Sequence, residues 1–379
     1  MPGTKHAILS PSASHIWLKC TRSPRLCENL PDQETDYARQ GTEAHKLCQY
    51  KLEKALGWKT DDPRSELQFL DEQMEACSDD YVQFVMQLLS QLKEKCSDPV
   101  ILIEQKLDFS EWVPEGFGYG DCILVADGTL HVIDFKYGEG VLVEARDNSQ
   151  MACYALGAIN LLDRLYDIET VSMTIFQPRR ENVSTWTEDK FALFGWADTV
   201  LKPAADLAYK GEGSFCAGEH CRFCRAKSTC RARAEYNLEL ARYDFAMPET
   251  LDDDEIAAIL GKIDSLTSWA SDIKEYALSQ ALSGKHYEGF KVVNGRSVRK
   301  YTSETDVARA VTDAGFDPYE KSILGITAMT KLLGKKRFEE ILGEYVFKAP
   351  GKPALVPISD SRPESNSAIN DFKDIEEDK

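Results

Sequence analysis

The chain has 379 residues, of which 43% are hydrophobic, and a formal net charge of −18. This length suffices for one large domain or two ordinary ones with a proper core. No run of about 18 apolar residues occurs, which excludes a predicted transmembrane helix, and the lack of an apolar signal core predicts a cytoplasmic protein. The negative charge argues against tight nonspecific DNA binding, so any nucleic acid would bind in a local basic groove or through metal ions.

The first part of the chain predicts helices. Residues 10–27 begin Ser-Pro-Ser-Ala-Ser and predict a short helix that ends near Cys20. Apolar residues at helical spacing predict helices over 41–56 and 66–96, on either side of an acidic loop. After Pro99 the predicted elements are strands over 100–109, 119–126 and 129–136, a helix over 148–162, a strand over 171–177 and a helix over 191–209. This order predicts an α/β fold, with a mixed sheet flanked by helices.

The chain changes character after about residue 245. The predicted elements are one or two helices over 251–282, a small hairpin over 290–301 that turns at Asn294-Gly295, and short helices over 304–314 and 327–342. Basic residues at 296–300 and 331–337 are interpreted as solvated faces in preference to a DNA-guiding surface. The polar tail beyond Ser359 ends acidic and is expected to be disordered.

Two acidic residues are predicted to face each other across a tight hairpin. Asp127-Gly128 is a strong two-residue turn signal. The register set by this turn places Asp121 opposite Asp134, with Cβ atoms about 4.5–5.5 Å apart. Two carboxylates so close inside an apolar sheet repel each other, and a divalent cation such as Mg²⁺ removes that cost. Lys136 lies on the same face, where it would orient or help deprotonate a water attacking a phosphodiester. The alternative is a solvent-facing hairpin with scattered charges.

A series of motifs resembles the PD-(D/E)XK nuclease superfamily, in its RecB-type branch. The motifs are Gly41-Thr-Glu-Ala-His45, Gly118-Tyr-Gly-Asp121, Asp134-Phe-Lys136 and Gln150-Met-Ala-Cys-Tyr154. The resemblance implies a restriction-endonuclease-like core in which His45, Asp121 and Asp134 bind Mg²⁺ or Mn²⁺. It also implies that Lys136 is the catalytic lysine of a metal-dependent DNA nuclease, for which we expect exonuclease action.

Three further residues are candidates for the same site. Gln150 and Tyr154 lie one turn apart on a predicted helix, and the resemblance implies that this helix lines the site and contacts DNA. Glu104, on the strand before the hairpin, is either a further acid of the site or an acid exposed at the end of a strand.

The 11 cysteines suggest a second metal site, because disulfides are not expected in a reducing compartment. The C-x₂-C-x₅-C spacing of Cys221, Cys224 and Cys230 resembles the iron–sulfur branch of the superfamily, which includes the AddB nuclease domain and the CRISPR-associated adaptation nucleases. That resemblance implies a [4Fe–4S] cluster whose fourth ligand is Cys20 and which ties the N-terminal helix to the end of the core.

The alternative for these cysteines is a local zinc site. Cys216 with the three later cysteines would satisfy Zn²⁺, with His220 as a spare ligand. The other cysteines are interpreted as small hydrophobic residues: Cys27, Cys48, Cys77, Cys96, Cys122 and Cys153.

Most of the chain also resembles an uncharacterised family of phage and prophage proteins. The similarity rests on the Ser-rich start with Trp17 and Cys20, the cysteine segment, and the closing motifs Gly351-Lys-Pro353 and Ser359-Asp-Ser-Arg-Pro363. It implies a role in phage DNA replication or recombination beside a single-strand-binding or annealing protein. No phosphate-loop motif occurs, so the sequence predicts no motor of its own.

The predicted organisation has three parts. Residues 1–240 form the nuclease domain, with a core over about 41–210 and a cysteine cluster over 216–230. Residues 245–350 form an accessory α+β region, and 351–379 form the tail. Two other functions stay open: a non-catalytic DNA-binding or assembly module that retains the nuclease fold, and a zinc-stabilised regulatory protein.

Overall fold

The computed structural model describes residues 7–31, 35–126, 128–239, 251–294, 301–319, 323–347 and 356. The chain divides into two compact units, residues 1–283 and residues 284–379. The first unit contains a five-stranded sheet with its strands side by side in chain order. The strands are β1 (Val100–Asp108), β2 (Phe117–Ala126), β3 (Thr129–Phe135), β4 (Thr170–Gln177) and β5 (Asn182–Asp189).

The sheet is mixed, because one of its strand pairs is parallel. β1, β2 and β3 form an antiparallel meander, β4 runs parallel to β3, and β5 runs antiparallel to β4. A parallel pair needs a crossover connection, and helix α5 (Ser149–Tyr166) provides it between β3 and β4. This architecture confirms the predicted α/β fold with a mixed sheet flanked by helices.

Helices cover both faces of the sheet. One face packs against α3 (Asp36–Ala55) and α4 (Glu72–Lys95). The opposite face packs against α5, α6 (Lys190–Trp196) and α7 (Lys202–Lys210). Because β2 and β3 are central strands covered on both faces, most of their side chains are buried, which explains their nearly continuous apolar sequence.

The described residues of the first unit include four more α-helices. Helices α1 (Ser14–Trp17) and α2 (Ser23–Cys27) precede the sheet, and α8 (Arg231–Leu238) and α9 (Asp253–Leu282) follow it. The cysteine segment contains the short 3₁₀ helix Glu219–Phe223, which contacts both α1 and α9. The compact unit therefore continues through α9, beyond residue 240.

The second unit is helical in its described part. Its helices are α10 (Glu304–Asp313), α11 (Ile326–Leu333) and α12 (Lys335–Leu342). Residues 290–294 of the predicted hairpin form no strand, and 295–300 lie outside the described residues, as do both closing motifs and the tail beyond 356. Within the described ranges, no helix combines the length and apolar character needed to cross a membrane.

Local chemistry explains where some elements depart from prediction. Helix α4 begins six residues later than predicted, because Asp71 caps it by accepting a hydrogen bond from the backbone of Met74. The predicted helix over 191–209 contains a π-helical turn, Ala197–Leu201, just before Pro203, whose ring cannot continue a regular helix. Strand β5 was missed because it is an edge strand of mostly polar residues, in which half-buried and exposed positions alternate.

Candidate active site and cysteine site

The predicted hairpin register is present between β2 and β3. Gly128 has the positive φ, 72°, that the turn requires, while Asp127 lies outside the described residues. The ladder runs in the predicted register from the turn to the pair Cys122–Ile133. The next position in this register joins Asp121 to Asp134, but the backbone ladder ends before it. The two central strands therefore separate at the two acidic residues.

The Asp121 carboxylate lies where the strands separate. It accepts a hydrogen bond of 2.7 Å from the backbone nitrogen of Phe135 on β3. His45 reaches the same carboxylate from α3, with Nδ1 3.1 Å from Oδ1 of Asp121. The His45 ring also packs edge-on against the Phe135 ring, at a centroid distance of 5.5 Å. These contacts fix the imidazole beside the acid.

Glu104 faces Asp121 from the neighbouring strand in a strained backbone conformation. The β1–β2 ladder omits this pair, although the pairs on either side of it are present. Glu104 has a φ of 49°, in the left-handed region that residues other than glycine rarely adopt. Strain of this kind costs about 1–3 kcal/mol and concentrates at functional sites. The structure thus brings Glu104 into the site.

His45, Glu104 and Asp121 form a group with the geometry of a metal site. One potential ligand atom of each residue lies within 4.8 Å of those of the other two. They line a small cavity of about 10 Å³, close to the volume that accommodates one water molecule. The group contains two of the three predicted metal ligands, with Glu104 in the place expected for Asp134.

The three side chains of this group shift one another's pKa values. Burial and then the Asp121 carboxylate raise the pKa of Glu104 to about 7. Burial would lower the pKa of His45, but the charge and hydrogen bond of Asp121, together with the charge of Asp134, outweigh burial and raise this pKa to about 9. Burial would raise the pKa of Asp121, but the charge and hydrogen bond of His45, together with the Phe135 backbone and the charge of Lys136, lower it. Two acids and an imidazole held this close offer a negatively charged pocket to a cation.

Asp134 forms an ion pair with Lys136 beside the group. Asp134 is only 2% exposed, and its Oδ2 lies 2.9 Å from Nζ of Lys136. Within the described part of the chain this oxygen has no partner at a hydrogen-bonding angle, so it retains acceptor capacity despite its burial. Burial would lower the pKa of Lys136, but the charge and hydrogen bond of Asp134, together with the charge of Asp121, outweigh burial and raise it.

Helix α5 contributes Gln150 and Tyr154 to the same network, as the motif predicts. Gln150 accepts a hydrogen bond of 3.2 Å from Nζ of Lys136 through Oε1. Its Nε2 donates to Oδ1 of Asp134 at 3.3 Å and to the hydroxyl of Tyr154 at 3.2 Å. The capping residue Asn148 accepts from the backbone at the start of α5 and so fixes the first turn that presents Gln150.

The predicted cysteine ligands line one cavity. Cys20, Cys221, Cys224 and Cys230 all face it, together with Cys216 and His220. Burial is the largest cause of a raised pKa for Cys221, and the charges of Cys230 and Cys20 add to it. The N-terminal helices and the segment after the core are thus brought together, as the iron–sulfur interpretation expects. The residues of the zinc alternative border the same cavity.

Cys27 is a neighbour of this site that sequence reasoning interpreted as a small hydrophobic residue. Its sulfur lies 3.6 Å from the sulfur of Cys224. A side-chain hydrogen bond with Cys224 is the largest cause that lowers the pKa of Cys27, to about 6. The sequence offered one signal, since Cys27 follows Cys20 by two helical turns on the same segment.

Two comparisons with known proteins bear on the chain. The family model described as "Protein of unknown function (DUF2800)" matches residues 6–363. The solved structure described as "Crystal structure of SSO0001" aligns with 51% of this chain and 98% of its own, at 15% identity and a TM-score of 0.21. The family match covers nearly the entire chain.

Proposed function

The chain belongs to the DUF2800 family, and we propose that it is a divalent-metal-dependent deoxyribonuclease with a site of the PD-(D/E)XK type. The observation that carries the proposal is the meeting of a possible metal pocket and a lysine–carboxylate pair where β2 and β3 separate. His45, Glu104 and Asp121 form the pocket, and Asp134 with Lys136 forms the pair. A divalent cation and a positioned ammonium group can both offset the charge that develops in the transition state of phosphodiester hydrolysis.

The donor set fits Mg²⁺ or Mn²⁺. Carboxylate oxygens are the preferred ligands of both ions, and the pocket also offers one imidazole nitrogen. His45, Glu104 and Asp121 would hold the ion through one nitrogen and two oxygens, and Asp134, the third ligand that the sequence predicts, would add a fourth donor, an oxygen. When bound, such an ion polarises the phosphate and lowers the pKa of the attacking water.

The other residues position the charge of Lys136. Asp134 and Gln150 hold its ammonium group from two directions, at 2.9 and 3.2 Å. The remaining proton of the ammonium group can then donate to a phosphate oxygen. Tyr154 fixes Gln150 through its hydroxyl, so these two residues orient the lysine.

The wider assignment follows the sequence interpretation. We propose exonuclease action in phage or prophage DNA replication or recombination, beside a single-strand-binding or annealing protein in the cytoplasm. The cysteine site is proposed to hold a structural [4Fe–4S] cluster on Cys20, Cys221, Cys224 and Cys230. Zinc is its rival, and metal analysis of anaerobically purified protein separates them, because only the cluster contains iron and sulfide.

The test is cleavage of end-labelled linear DNA by the full chain with Mg²⁺ or Mn²⁺. We expect cleavage to be lost with EDTA and to fall by about 100-fold or more in Asp134→Asn and Lys136→Met, since each removes a charge that acts in the transition state. Asn and Met keep the volume of the original side chains. The length of the labelled products over time reports whether cutting starts at ends.

Lys190→Met is the matched control. Lys190 is a buried lysine paired with Asp163 at 2.9 Å, and its backbone pairs with Glu169 at the far end of β4. We expect it to cost stability and leave cleavage by the folded protein near wild type. Folded, metal-loaded protein that cuts neither single-stranded nor duplex DNA would overturn the nuclease proposal in favour of a binding module.

A further inference from the structure

The positive charge of this acidic protein is concentrated around the cysteine site. Segments 14–27 and 216–233 together contain eight Lys or Arg residues and one acidic residue, whereas the whole chain carries −18. Lys19, Arg22, Arg222 and Arg225 are exposed, and in the described part of the chain none forms an ion pair with a carboxylate. A strongly acidic protein that keeps unpaired cations in one place offers that place to a polyanion.

Exposed aromatic rings alternate with these cations. Phe223 is 52% exposed, although it lies between two buried or half-buried cysteines. The guanidinium carbon of Arg222 lies 4.7 Å from its ring centroid, and the His15 ring meets it edge-on at 5.4 Å. Phe215 is 40% exposed and has Arg22 at 4.9 Å. Aromatic faces interleaved with arginine are the usual platform for unpaired bases.

A cavity connects this surface with the N-terminal segment. It has a volume of about 500 Å³, within the range of ligand-binding clefts, and its polar lining includes Ser10, Ser12 and Arg225 beside Phe223. Glu28 also lines it, and its carboxylate is paired with Arg25 at 3.0 Å. Hydroxyl groups and an arginine are common partners of phosphate oxygens. The cavity therefore combines groups for a backbone with a ring for a base.

The same segment lies directly on the candidate active site. The hydroxyl of Ser14 is 2.6 Å from that of Ser149, the residue before Gln150. A Cβ on Gly118 would approach Pro11 to 2.7 Å and Tyr154 to 2.8 Å, so the N-terminal turn packs against the helix that presents the site. Burial is the largest cause of the lowered pKa of His15, and the charge of Lys136 is among the smaller ones.

We propose that this surface, formed by His15, Lys19, Arg22, Arg222, Phe223 and Arg225, binds single-stranded DNA and leads one strand to Lys136. Only an unpaired base can stack on Phe223, so a duplex would contact the cations without using the ring. The part of this inference that leads the strand to Lys136 rests on the proposed nuclease function. Binding of the strand is measured without cleavage.

The test is fluorescence anisotropy of a labelled thymidine 20-mer with the full chain in EDTA, which prevents cleavage. We expect Phe223→Leu to weaken binding by about 5- to 100-fold, as loss of one stacking contact does. Phe223→Trp should restore binding, because it replaces the ring. Phe191→Leu is the control, since Phe191 is 72% exposed on α6, away from the cavity. Cysteine-bound metal content and melting temperature must match the wild type.

A second pair of changes tests the cations without touching the cysteine segment. Lys19→Gln with Arg22→Gln should make the negative slope of log affinity against log salt shallower by about 1.4, since each phosphate contact on a single strand contributes about 0.7 to its magnitude. Lys93→Gln with Arg164→Gln, two exposed cations elsewhere, should leave the slope unchanged.

The outcomes separate this inference from the nuclease proposal. Normal cleavage with unchanged single-strand binding in Phe223→Leu would contradict the proposed DNA-binding surface and leave the nuclease proposal standing. Binding that depends on Phe223, without cleavage under any condition, would support the surface and count against the nuclease. Equal or tighter binding of a duplex 20-mer, or no binding of the single strand, would also overturn the surface.

Discussion

Glu104 shows how a single residue trades stability for a charged pocket. It adopts a left-handed conformation in the middle of a strand, and it faces the Asp121 carboxylate. Both features oppose folding in the absence of a cation, since strain and like charges are costly. A bound cation would remove the repulsion between the two carboxylates. Replacing Glu104 should therefore change the stability of the metal-free protein, which can be measured without any ligand.

The first prediction concerns the stability of metal-free protein against pH. Burial and Asp121 raise the folded pKa of Glu104 to about 7, above its ordinary 4.5. A carboxyl group with a raised folded pKa contributes stability below the unfolded pKa, and that contribution is lost as pH rises through the folded pKa. We therefore expect the free energy of unfolding to fall by about 1–3 kcal/mol between pH 5 and pH 8 in EDTA.

Urea denaturation of wild type and Glu104→Gln checks this. The variant should lose the larger part of the decline, while Glu94→Gln, an exposed change on α4, should follow the wild type. His45, with a folded pKa of about 9, also loses stability over this range, so some slope should persist in the variant. Parallel curves for wild type and Glu104→Gln would contradict the assigned environment.

At the scale of elements, the hairpin was predictable because its turn chemistry sets one register. That register placed Asp121 and Asp134 one step beyond the last ladder pair, which is where they lie. The separation of the strands there was not predictable, because it depends on a side chain bonding to the backbone of Phe135. The conformation of Glu104 left no sequence signal, so its place in the metal group required the structure.

Contacts between distant elements were predictable only through motif resemblance. Nothing in periodicity brings His45 to β2 or Gln150 to Lys136, since these contacts depend on how α3 and α5 pack on opposite faces of the sheet. The same applies to Cys20 and Cys221, which lie 201 positions apart in the sequence and line one cavity. The neighbouring thiol of Cys27 was missed because a buried cysteine is usually core filler.

The packing of α5 on β1 gives a prediction at this scale. Gly157 faces the strand so closely that a Cβ would lie 2.8 Å from Cβ of Leu107 and 3.2 Å from the backbone nitrogen of Asp108. Gly157→Ala should destabilise the protein by about 1–3 kcal/mol, because overpacking against backbone outweighs the better helix propensity of alanine. Gly261→Ala on α9 meets no atom within 4 Å and should stabilise by up to about 1 kcal/mol.

Thermal or urea unfolding of the two variants measures these opposite signs. Because α5 presents Gln150 and Tyr154, a shift of the helix in Gly157→Ala should also reduce DNA cleavage. The stabilisation of the protein by a bound metal ion should change less, because the residues of the metal pocket are not on α5. If Gly157→Ala were as stable as wild type, the helix would pack farther from β1 than described.

At the scale of the whole molecule, the cysteine segment depends on Asp272 of α9, which lies 42 positions after Cys230 in the sequence. Asp272 of α9 is 7% exposed and forms ion pairs with Arg233 at 2.5 Å and Lys227 at 2.7 Å. The Ser228 hydroxyl donates to the backbone oxygen of Asp272 at 3.1 Å. One buried carboxylate thus joins α9 to both ends of the loop that carries Cys230.

The last prediction follows from this clamp. A chain ending at Ser283 should fold with the cooperative transition of the first unit, whereas one ending at residue 240, where the sequence analysis ended the nuclease domain, should melt at a lower temperature. The shorter chain loses the ion pairs that Asp272 makes with Arg233 and Lys227, together with the surface of α9 that packs against α8. Calorimetry on both chains, with iron or zinc content measured alongside, checks the loss.

Asp272→Asn in the full chain should reproduce part of this loss of stability, because it removes the charge and keeps α9 in place. Equal melting of the two shortened chains would instead show that the cysteine segment is held by α1 and α2 alone.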